Sequence, residues 1–194
     1  VTFDCLANTT FIGIQGTNNI TAFANDSAGN INSSTVFFTI ESGAPALIVN
    51  FPGNLSNHSR TNLSLNITVS DPSGLGTCSF TNTTGQNNTF GCLVNTTFIT
   101  AGGEGSDNIT VFATDALGNL NMSDIITFTI DTVAPNINIT FPLNTTYTTT
   151  NLSLNLSVFD ATTALSACFY TNRTNVNVTF DCLANTTFIG IQGT

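Results

Sequence analysis

The feature that most constrains this chain is an internal repeat. Residues 1–17 read VTFDCLANTTFIGIQGT, and residues 178–194 read the same seventeen letters, an offset of 177 residues. Identity at this level indicates a recent tandem duplication or a section of a longer periodic chain, and we favour the section because both ends of the sequence fall in mid-pattern. A chain of this kind is expected to fold as a series of similar units rather than around one irregular core.

A shorter period lies inside the long one. Cys5 and Cys92 are 87 residues apart, and Cys92 and Cys182 are 90 apart, so the 177-residue repeat holds two related units. We therefore predict the C-terminal part of one domain at 1–44, a complete domain at 45–134, and the N-terminal part of a further domain at 135–194. The matching segments are FDCLANTTF at 3–11 and FGCLVNTTF at 90–98, NITAFANDSAGN at 19–30 and NITVFATDALGN at 108–119, and TNLSLNITVSD at 61–71 and TNLSLNLSVFD at 150–160.

The hydrophobic pattern within a unit has the period of a β-strand. Apolar and polar residues alternate over 62–69 and again over 151–158, which is typical of strands buried on one face. Strand-like runs also occur at 46–51, 108–114 and 125–130, separated by Gly-, Asn- and Asp-rich turns. About seven short strands in ~90 residues predict an all-β fold of tandem immunoglobulin-like β-sandwiches.

Composition excludes several classes of function. The chain carries eleven acidic residues against two cations, Arg60 and Arg173, for a net charge of −9. Binding to nucleic acid or to an anionic membrane surface needs Lys and Arg and is therefore not expected. The mean hydropathy is +0.24, but no apolar run reaches the ~20 residues of a membrane span. With only 7% charged residues, something other than charge has to hydrate this surface.

Catalysis is not expected either. The chain has one histidine, His58, two glutamates and no lysine, whereas general acid–base sites draw mainly on these residue types. No metalloprotease, nucleophile-elbow or phosphate-binding motif is present. His58, in Asn57-His58-Ser59, is interpreted as a loop residue, and the sequence predicts that the protein is not an enzyme.

The order of the turn motifs resembles a known group of domains. An Ala-Pro pair precedes the first strand, Asp71-Pro-Ser-Gly-Leu75 follows, and Asp115-x-x-Gly-Asn119 and Phe128-Thr-Ile-Asp131 come before the next Ala-Pro. This order resembles the tandem Ig-like domains of prokaryotic, especially archaeal, cell-surface proteins, and the resemblance covers essentially the whole chain. It implies secretion and surface display, without one particular activity.

The five cysteines predict two disulfides. Cys78 and Cys92 are 14 residues apart, as are Cys168 and Cys182. Hairpins folded about Gly85 and Asn175 place the members of each pair opposite one another. Cys5 corresponds to Cys182, so we expect its partner upstream of the sequence given. Metal binding is the alternative, but no CxxC motif or neighbouring histidine completes a zinc site; disulfides predict an oxidising, extracellular setting.

The strongest functional signal is an excess of N-glycosylation sequons, Asn-x-Ser/Thr. With 27 Asn and 51 Ser plus Thr, chance predicts about 7 sequons, whereas the chain has 20. O-linked sugars on Thr145, Thr146 and 148–150 are a second route. The twenty candidate acceptors are Asn8, Asn19, Asn25, Asn32, Asn54, Asn57, Asn62, Asn66, Asn82, Asn87, Asn95, Asn108, Asn121, Asn138, Asn144, Asn151, Asn155, Asn172, Asn177 and Asn185.

Sugars at these sites would supply the hydration that charged residues do not. The alternative is an Asn- and Thr-rich sequence whose sequons are unused. Asp26, Asp115 and the linker acids Glu41 and Asp131 suggest Ca²⁺ at domain junctions, against the alternative that these aspartates only form turns. No other cofactor is expected.

The sequence as a whole predicts a structural, glycan-coated extracellular rod or filament. Its partners would be other copies or neighbouring repeats. The competing hypotheses are an adhesin that binds through the loops 71–77, 100–107 and 160–166, and an S-layer or stalk component.

Overall fold

A computed structural model describes residue 2 and residues 4–100, 102–173, 175–184 and 186–190. Within these ranges the chain forms sixteen β-strands and no helix, so the prediction of an all-β fold is confirmed. In the same part of the chain, no helix is long and apolar enough to cross a membrane.

The first strands form an isolated hairpin. β1 (Gly16–Asn25) and β2 (Ile31–Ile40) pair antiparallel along their whole length, from Gly16 opposite Ile40 to Asn25 opposite Ile31. The connection is a tight turn in which Asp26 accepts hydrogen bonds from Ala28 and Asn30. In the described structure this hairpin is a sheet of only two strands.

The middle of the chain forms a complete β-sandwich. One sheet contains three strands in the order β3-β5-β8; the other has the order β4-β11-β9-β6-β7, with β10 also paired to β9. β4 and β11 are parallel, and the other pairs are antiparallel. The strands are β3 (Ala46–Phe51), β4 (Ser56–His58), β5 (Asn62–Ser70), β6 (Leu75–Asn82), β7 (Asn87–Phe90), β8 (Thr96–Ile99), β9 (Gly105–Asp115), β10 (Leu120–Met122) and β11 (Ile126–Ile130).

The core of this sandwich lies between the two sheets. Leu63 and Leu65 of β5 are fully buried and pack in one cluster with Ile109 and Val111 of β9 and with Phe128 of β11. These are the inward positions of the alternating strands, so the period-two pattern correctly predicts which face is buried. The further members of the cluster are Phe80, Phe98 and Ile130.

The last strands repeat the first part of the sandwich. β12, β13 and β16 form a three-stranded sheet, equivalent to β3, β5 and β8, and β14 pairs with β15 as β6 pairs with β7. The strands are β12 (Asn136–Phe141), β13 (Asn151–Phe159), β14 (Cys168–Thr171), β15 (Asn177–Phe180) and β16 (Thr186–Ile189). The domain boundaries given above stay a prediction.

Candidate functional site

The candidate acceptor asparagines lie at the surface. None of the nineteen that the structure describes is buried, and Asn185 lies outside the described residues. Thirteen are exposed: Asn8, Asn19, Asn25, Asn32, Asn54, Asn57, Asn62, Asn87, Asn95, Asn138, Asn144, Asn151 and Asn177. Six are half-buried: Asn66, Asn82, Asn108, Asn121, Asn155 and Asn172. An acceptor has to be reachable by the glycosylating enzyme, and this placement meets that condition.

Strand alternation explains the outward position of several acceptors. In β5, Leu63 and Leu65 face the core, so Asn62 and Asn66 face outward. Positions i and i+4 on one strand face are roughly 13 Å apart, which leaves room for two glycans side by side. β13 has the same arrangement with Asn151 and Asn155.

Two acceptors at turns, Asn54 and Asn82, accept hydrogen bonds through their side-chain oxygen. Asn54 Oδ1 accepts from the backbone N–H of Thr127 at 3.0 Å. Asn82 Oδ1 accepts from the backbone N–H of Thr84 at 3.1 Å and from its hydroxyl at 2.6 Å. A glycan is attached through Nδ2, so these bonds fix the side chain by the atom that glycosylation does not use.

Asn121 is an exception that the sequon pattern does not reveal. Its Nδ2 donates to the carbonyl oxygen of Pro45 at 2.8 Å, which ties β10 to the start of β3. The hydroxyl of the same sequon is also used, because Ser123 Oγ accepts from the backbone N–H of Val111 at 3.0 Å and donates to the carbonyl oxygen of Asp124 at 2.7 Å. This sequon is therefore part of the packing of the sandwich.

Both predicted disulfides are present. Cys78 is joined to Cys92 and Cys168 to Cys182, each with a Cα–Cα distance of 5.1 Å. The strand register predicted for them is wrong: Cys78 lies opposite Phe90, not Cys92, and Cys168 lies opposite Phe180. Each bridge therefore runs diagonally from a strand to the residues that follow the hairpin.

The register differs because each hairpin closes on a tight turn. The Gly85 backbone N–H donates to the carbonyl oxygen of Asn82 at 2.8 Å. In the second hairpin the Asn175 backbone N–H donates to the carbonyl oxygen of Asn172 at 3.0 Å. Gly85 (φ 72°) and Asn175 (φ 55°) adopt the left-handed conformation that glycine and asparagine tolerate best. The second strand of each hairpin therefore starts earlier, and its residues pair two positions earlier in sequence than in a hairpin symmetric about Gly85 or Asn175. Cys5 is exposed and is not paired with another cysteine of the described residues, and its pairing upstream stays a prediction.

The aspartates proposed for calcium form turns. Asp115 Oδ1 accepts from the backbone N–H groups of Leu117 and Asn119 at 2.9 and 2.8 Å, and Oδ2 accepts from Asn119 Nδ2 at 2.7 Å. Burial raises the pKa of Asp115, but its hydrogen bonds from Asn119, Leu117 and Ser73 outweigh this, so the pKa lies below its ordinary value. Asp26 repeats the arrangement with Asn30, whose hydrogen bonds lower its pKa.

The linker acids also bond within the chain. Glu41 accepts from the backbone N–H of Gly43, and Asp131 Oδ2 accepts from the Thr163 hydroxyl at 2.5 Å. In the described ranges, no three of the residue types His, Cys, Asp and Glu are grouped to hold a metal ion. Calcium binding stays a prediction.

His58 lies in β4 and not in the loop interpreted from the sequence. Its ring packs edge-on against Phe51 and Phe128, with centroids 5.2 and 5.8 Å away. The Ser56 hydroxyl donates to the carbonyl oxygen of Gly53 at 2.5 Å, so His58 Nε2–H donates to Ser56 Oγ, 2.8 Å away. These contacts give the imidazole a packing role.

Lowering the pH from 7 to 5 is expected to destabilise the middle sandwich through His58. Burial lowers the pKa of His58, and the charge of Arg60 lowers it further. The unfolded chain then binds a proton more readily than the folded chain, so the contribution is complete above the ordinary value of about 6.5 and is lost as the pH falls below it. Thermal unfolding at several pH values measures this effect. His58→Gln should give a flat melting temperature over this range, and an equal slope in both proteins would contradict the assignment.

The loops proposed for adhesion do not meet. β6 and β9 are antiparallel, with Leu75 opposite Asp115 and Asn82 opposite Ile109. The loop 71–77, before and at the start of β6, and the loop 100–107, at the start of β9, therefore lie at opposite ends of the sandwich. The loop 160–166 is the equivalent of 71–77 in the next unit.

No protein-family model and no curated protein matches the chain. Among solved structures, fibronectin(III)-like modules of Clostridium thermocellum CbhA are similar, with a TM-score of 0.39 and 12% identity over 46% of this chain and 99% of that chain. A tetra-tandem repeat in the extending region of a large adhesion protein is similar with a TM-score of 0.28 and 20% identity over 92% of this chain. The match covers 49% of that chain, about half its length. The paired sheets of this chain and the core that they share form the all-β sandwich repeats.

Proposed function

We propose that the protein is a structural, N-glycosylated extracellular repeat protein that forms a glycan-coated rod or filament on, or shed from, a cell surface. The observation that carries this proposal is the placement of the sequons: of the nineteen described, none is buried, although they lie in strands, turns and loops throughout the chain. Asparagine is mostly exposed in any fold, and the seven asparagines outside sequons are unburied as well. The exposure therefore makes the acceptors reachable, and the excess of sequons, 20 against about 7 expected by chance, supports their use.

The disulfides support the extracellular setting. Disulfides persist in oxidising compartments and are rare in the cytosol. The two bridges, Cys78–Cys92 and Cys168–Cys182, occupy equivalent positions in consecutive units, so they belong to the repeat itself. The resemblance of the turn motifs to archaeal surface proteins supports display on a prokaryotic cell.

Short connections between units support a rod. β11 ends at Ile130 and β12 begins at Asn136, and this connection is held to the following unit by the Asp131–Thr163 hydrogen bond. It also contains Pro135, which restricts the backbone. A short connection tied to its neighbour bends less than a flexible linker does.

Intact glycopeptide mass spectrometry of protein from its native source tests this proposal. We expect glycan mass on most of the twenty sequon asparagines. Seven asparagines outside sequons serve as internal controls and should be bare: Asn18, Asn30, Asn50, Asn88, Asn119, Asn136 and Asn175. Asn18 and Asn88 are especially informative, because each lies directly beside a sequon asparagine. If most of the sequon asparagines carried no glycan, the proposal of a glycan coat would be wrong.

The same experiment tests how the structure modulates occupancy. Asn121 should be the least occupied acceptor of the middle sandwich, because its Nδ2 is bound to Pro45 and its side chain is half-buried. Asn62, which is exposed on the outer face of β5, should be close to fully occupied. Equal occupancy at the two sites would show that the Asn121–Pro45 bond does not limit glycosylation.

A further inference from the structure

The side of the middle sandwich at which β7 and β8 lie contains a polar cleft. β8 is an edge strand of the three-stranded sheet, and β7 is an edge strand of the larger sheet. A cleft of about 460 Å³ is lined by residues of both strands and of the neighbouring β6. This volume lies within the range of roughly 300–1,000 Å³ that is typical of small-molecule sites.

Polar side chains occupy inward positions of this cleft. Asn88 of β7 lies directly opposite Phe80 of β6, and Thr96 of β8 lies directly opposite Leu65 of β5. Phe80 and Leu65 belong to the buried core, and directly opposite residues project to the same face of a sheet, so Asn88 and Thr96 face inward. The apolar core of the sandwich therefore ends in polar groups at this side.

The lining of the cleft is uncharged and can both donate and accept hydrogen bonds. Its polar groups are the carboxamides of Asn82, Gln86 and Asn88 and the hydroxyls of three threonines, and none of the described residues that line it is charged. Asn88 Nδ2 donates to the carbonyl oxygen of Gln86 at 3.2 Å, which holds the Asn88 side chain by its nitrogen and leaves Oδ1 as an acceptor.

The next unit shows that the hairpin does not need two of these carboxamides. Gln86 and Asn88 correspond to Val176 and Val178 at an offset of 90 residues. The hairpin of β14 and β15 nevertheless has the same register as that of β6 and β7. The carboxamides of the middle unit are therefore not required by the fold of the hairpin.

We propose that this cleft binds a neutral saccharide. Sugar hydroxyls both donate and accept hydrogen bonds, as the carboxamides and threonine hydroxyls of the lining do. The apolar face of a sugar ring can pack against Ile99, which is exposed and also lines the cleft. A phosphate or an acidic sugar would find no positive charge among the described lining residues, and the net charge of −9 opposes its approach.

The saccharide has two possible sources with the same chemistry. Asn62, a candidate acceptor, lies directly opposite Ile99, so a glycan on Asn62 begins beside the cleft. A saccharide of another molecule is the second source. The site goes beyond the proposed glycan coat, because its lining is the same whether or not the sequons are occupied.

Surface plasmon resonance with the immobilised 194-residue chain, made in a host without an oligosaccharyltransferase, tests the site. The probes are maltotriose, cellotriose, chitotriose and mannotriose, and the glycans released from the native protein where its sequons are occupied. We expect at least one probe to bind. Gln86→Val/Asn88→Val should weaken that binding about tenfold or more, because two hydrogen-bonding groups are lost.

Two controls separate binding from folding. The double variant carries the residues of the next unit and keeps the Asn87 sequon, so its melting temperature should stay within a few degrees of the wild type. Asn136→Val removes an exposed carboxamide from β12, outside the middle sandwich, and should bind as the wild type does. Equal binding by the wild type and the double variant, or no binding of any probe, would overturn the proposal.

The glycosylated chain identifies the source of the saccharide. If a glycan on Asn62 fills the cleft, the glycosylated chain should bind the added probe several-fold more weakly than the unglycosylated chain, and Asn62→Gln should restore binding. Equal binding by both chains would assign the cleft to a saccharide of another molecule.

The two proposals fail separately. Occupied sequons without binding of any probe would keep the glycan coat and reject the saccharide site. Bare sequons with binding that the double variant weakens would reject the coat and keep the site.

Discussion

Protein that lacks its N-glycans is expected to aggregate at concentrations at which the glycosylated protein stays in solution. The outer faces of the sheets carry apolar side chains beside the acceptors. Ile99 of β8 is 72% exposed and lies directly opposite Asn62, and Ile48 of β3 is 60% exposed on the face that also carries Asn66. A glycan on Asn62 would cover Ile99, and without it these side chains can form contacts between molecules.

The size of the effect follows from the area exposed. Burying one such side chain in a contact between two molecules stabilises that contact by roughly 1.5 kcal/mol. This lowers the concentration at which aggregation begins by about tenfold. The net charge of −9 adds repulsion between molecules, so the comparison is made at about 0.15 M ionic strength, where the Debye length of ~8 Å screens that repulsion. Static light scattering of protein made in matched hosts with and without an oligosaccharyltransferase measures this.

Site-specific variants separate glycan loss from a change of side chain. In the glycosylating host, the double variant Asn62→Gln/Asn66→Gln removes two acceptors from the outer face of β5. Asn50→Gln is the matched control, because Asn50 lies on the same face, donates to Asn66 Oδ1 at 3.2 Å and is not in a sequon. Equal solubility of the double variant and the control would contradict a hydrating role of the glycans.

Removal of the Cys78–Cys92 disulfide is expected to have the largest effect on stability. In the chain-entropy model, a bridge that closes a loop of about 15 residues stabilises the fold by ~3 kcal/mol. For a unit of this size that corresponds to a melting temperature lower by about 12–24 °C. Cys78→Ala/Cys92→Ala is preferred to serine, because Cys78 is fully buried among apolar residues and a hydroxyl there would lose its water.

Denaturant unfolding of the middle sandwich measures this loss. Cys5→Ser is the matched control, because Cys5 is exposed and lies outside the middle sandwich, so the substitution should leave the unfolding free energy of that sandwich unchanged within about 0.5 kcal/mol. Chemical reduction of the wild-type protein gives a second measurement that does not alter the sequence. A loss below about 1 kcal/mol in both would show that the bridge constrains the unfolded chain little.

Much of the fold could be predicted from the sequence because it depends on residues that are close to one another along the chain. Alternation in β5 correctly predicts that Leu63 and Leu65 are buried, since a strand turns successive side chains to opposite faces. The separation of 14 residues in both cysteine pairs likewise predicts the two disulfides, because hairpins folded between them bring the cysteines of each pair together. Hairpin register could not be predicted in the same way, since it depends on where Gly85 and Asn175 adopt a left-handed backbone.

The candidate site could likewise be predicted only where it depends on local sequence. The sequons are readable one by one, and their exposure follows where strands alternate. The special position of Asn121 depends on Pro45, 76 residues away in sequence, and no local pattern reveals that contact. The loop expected at His58 is wrong for the same reason, because β4 is a strand of only three residues that forms by pairing with β11.

The parallel pairing of β4 with β11 has a mechanical consequence. Ser56 lies opposite Phe128 and His58 opposite Ile130, with the Asp131 backbone N–H donating to the carbonyl oxygen of His58 at 2.9 Å. Once β3, which precedes β4 and pairs with β5, has been drawn away, tension applied through the two ends of the sandwich pulls β4 toward the N-terminal side and β11 toward the C-terminal side. The hydrogen bonds between them are then loaded together in shear instead of being opened one after another. The β4–β11 pair is therefore the part of the middle sandwich that resists a pulling force by shear after β3 has detached.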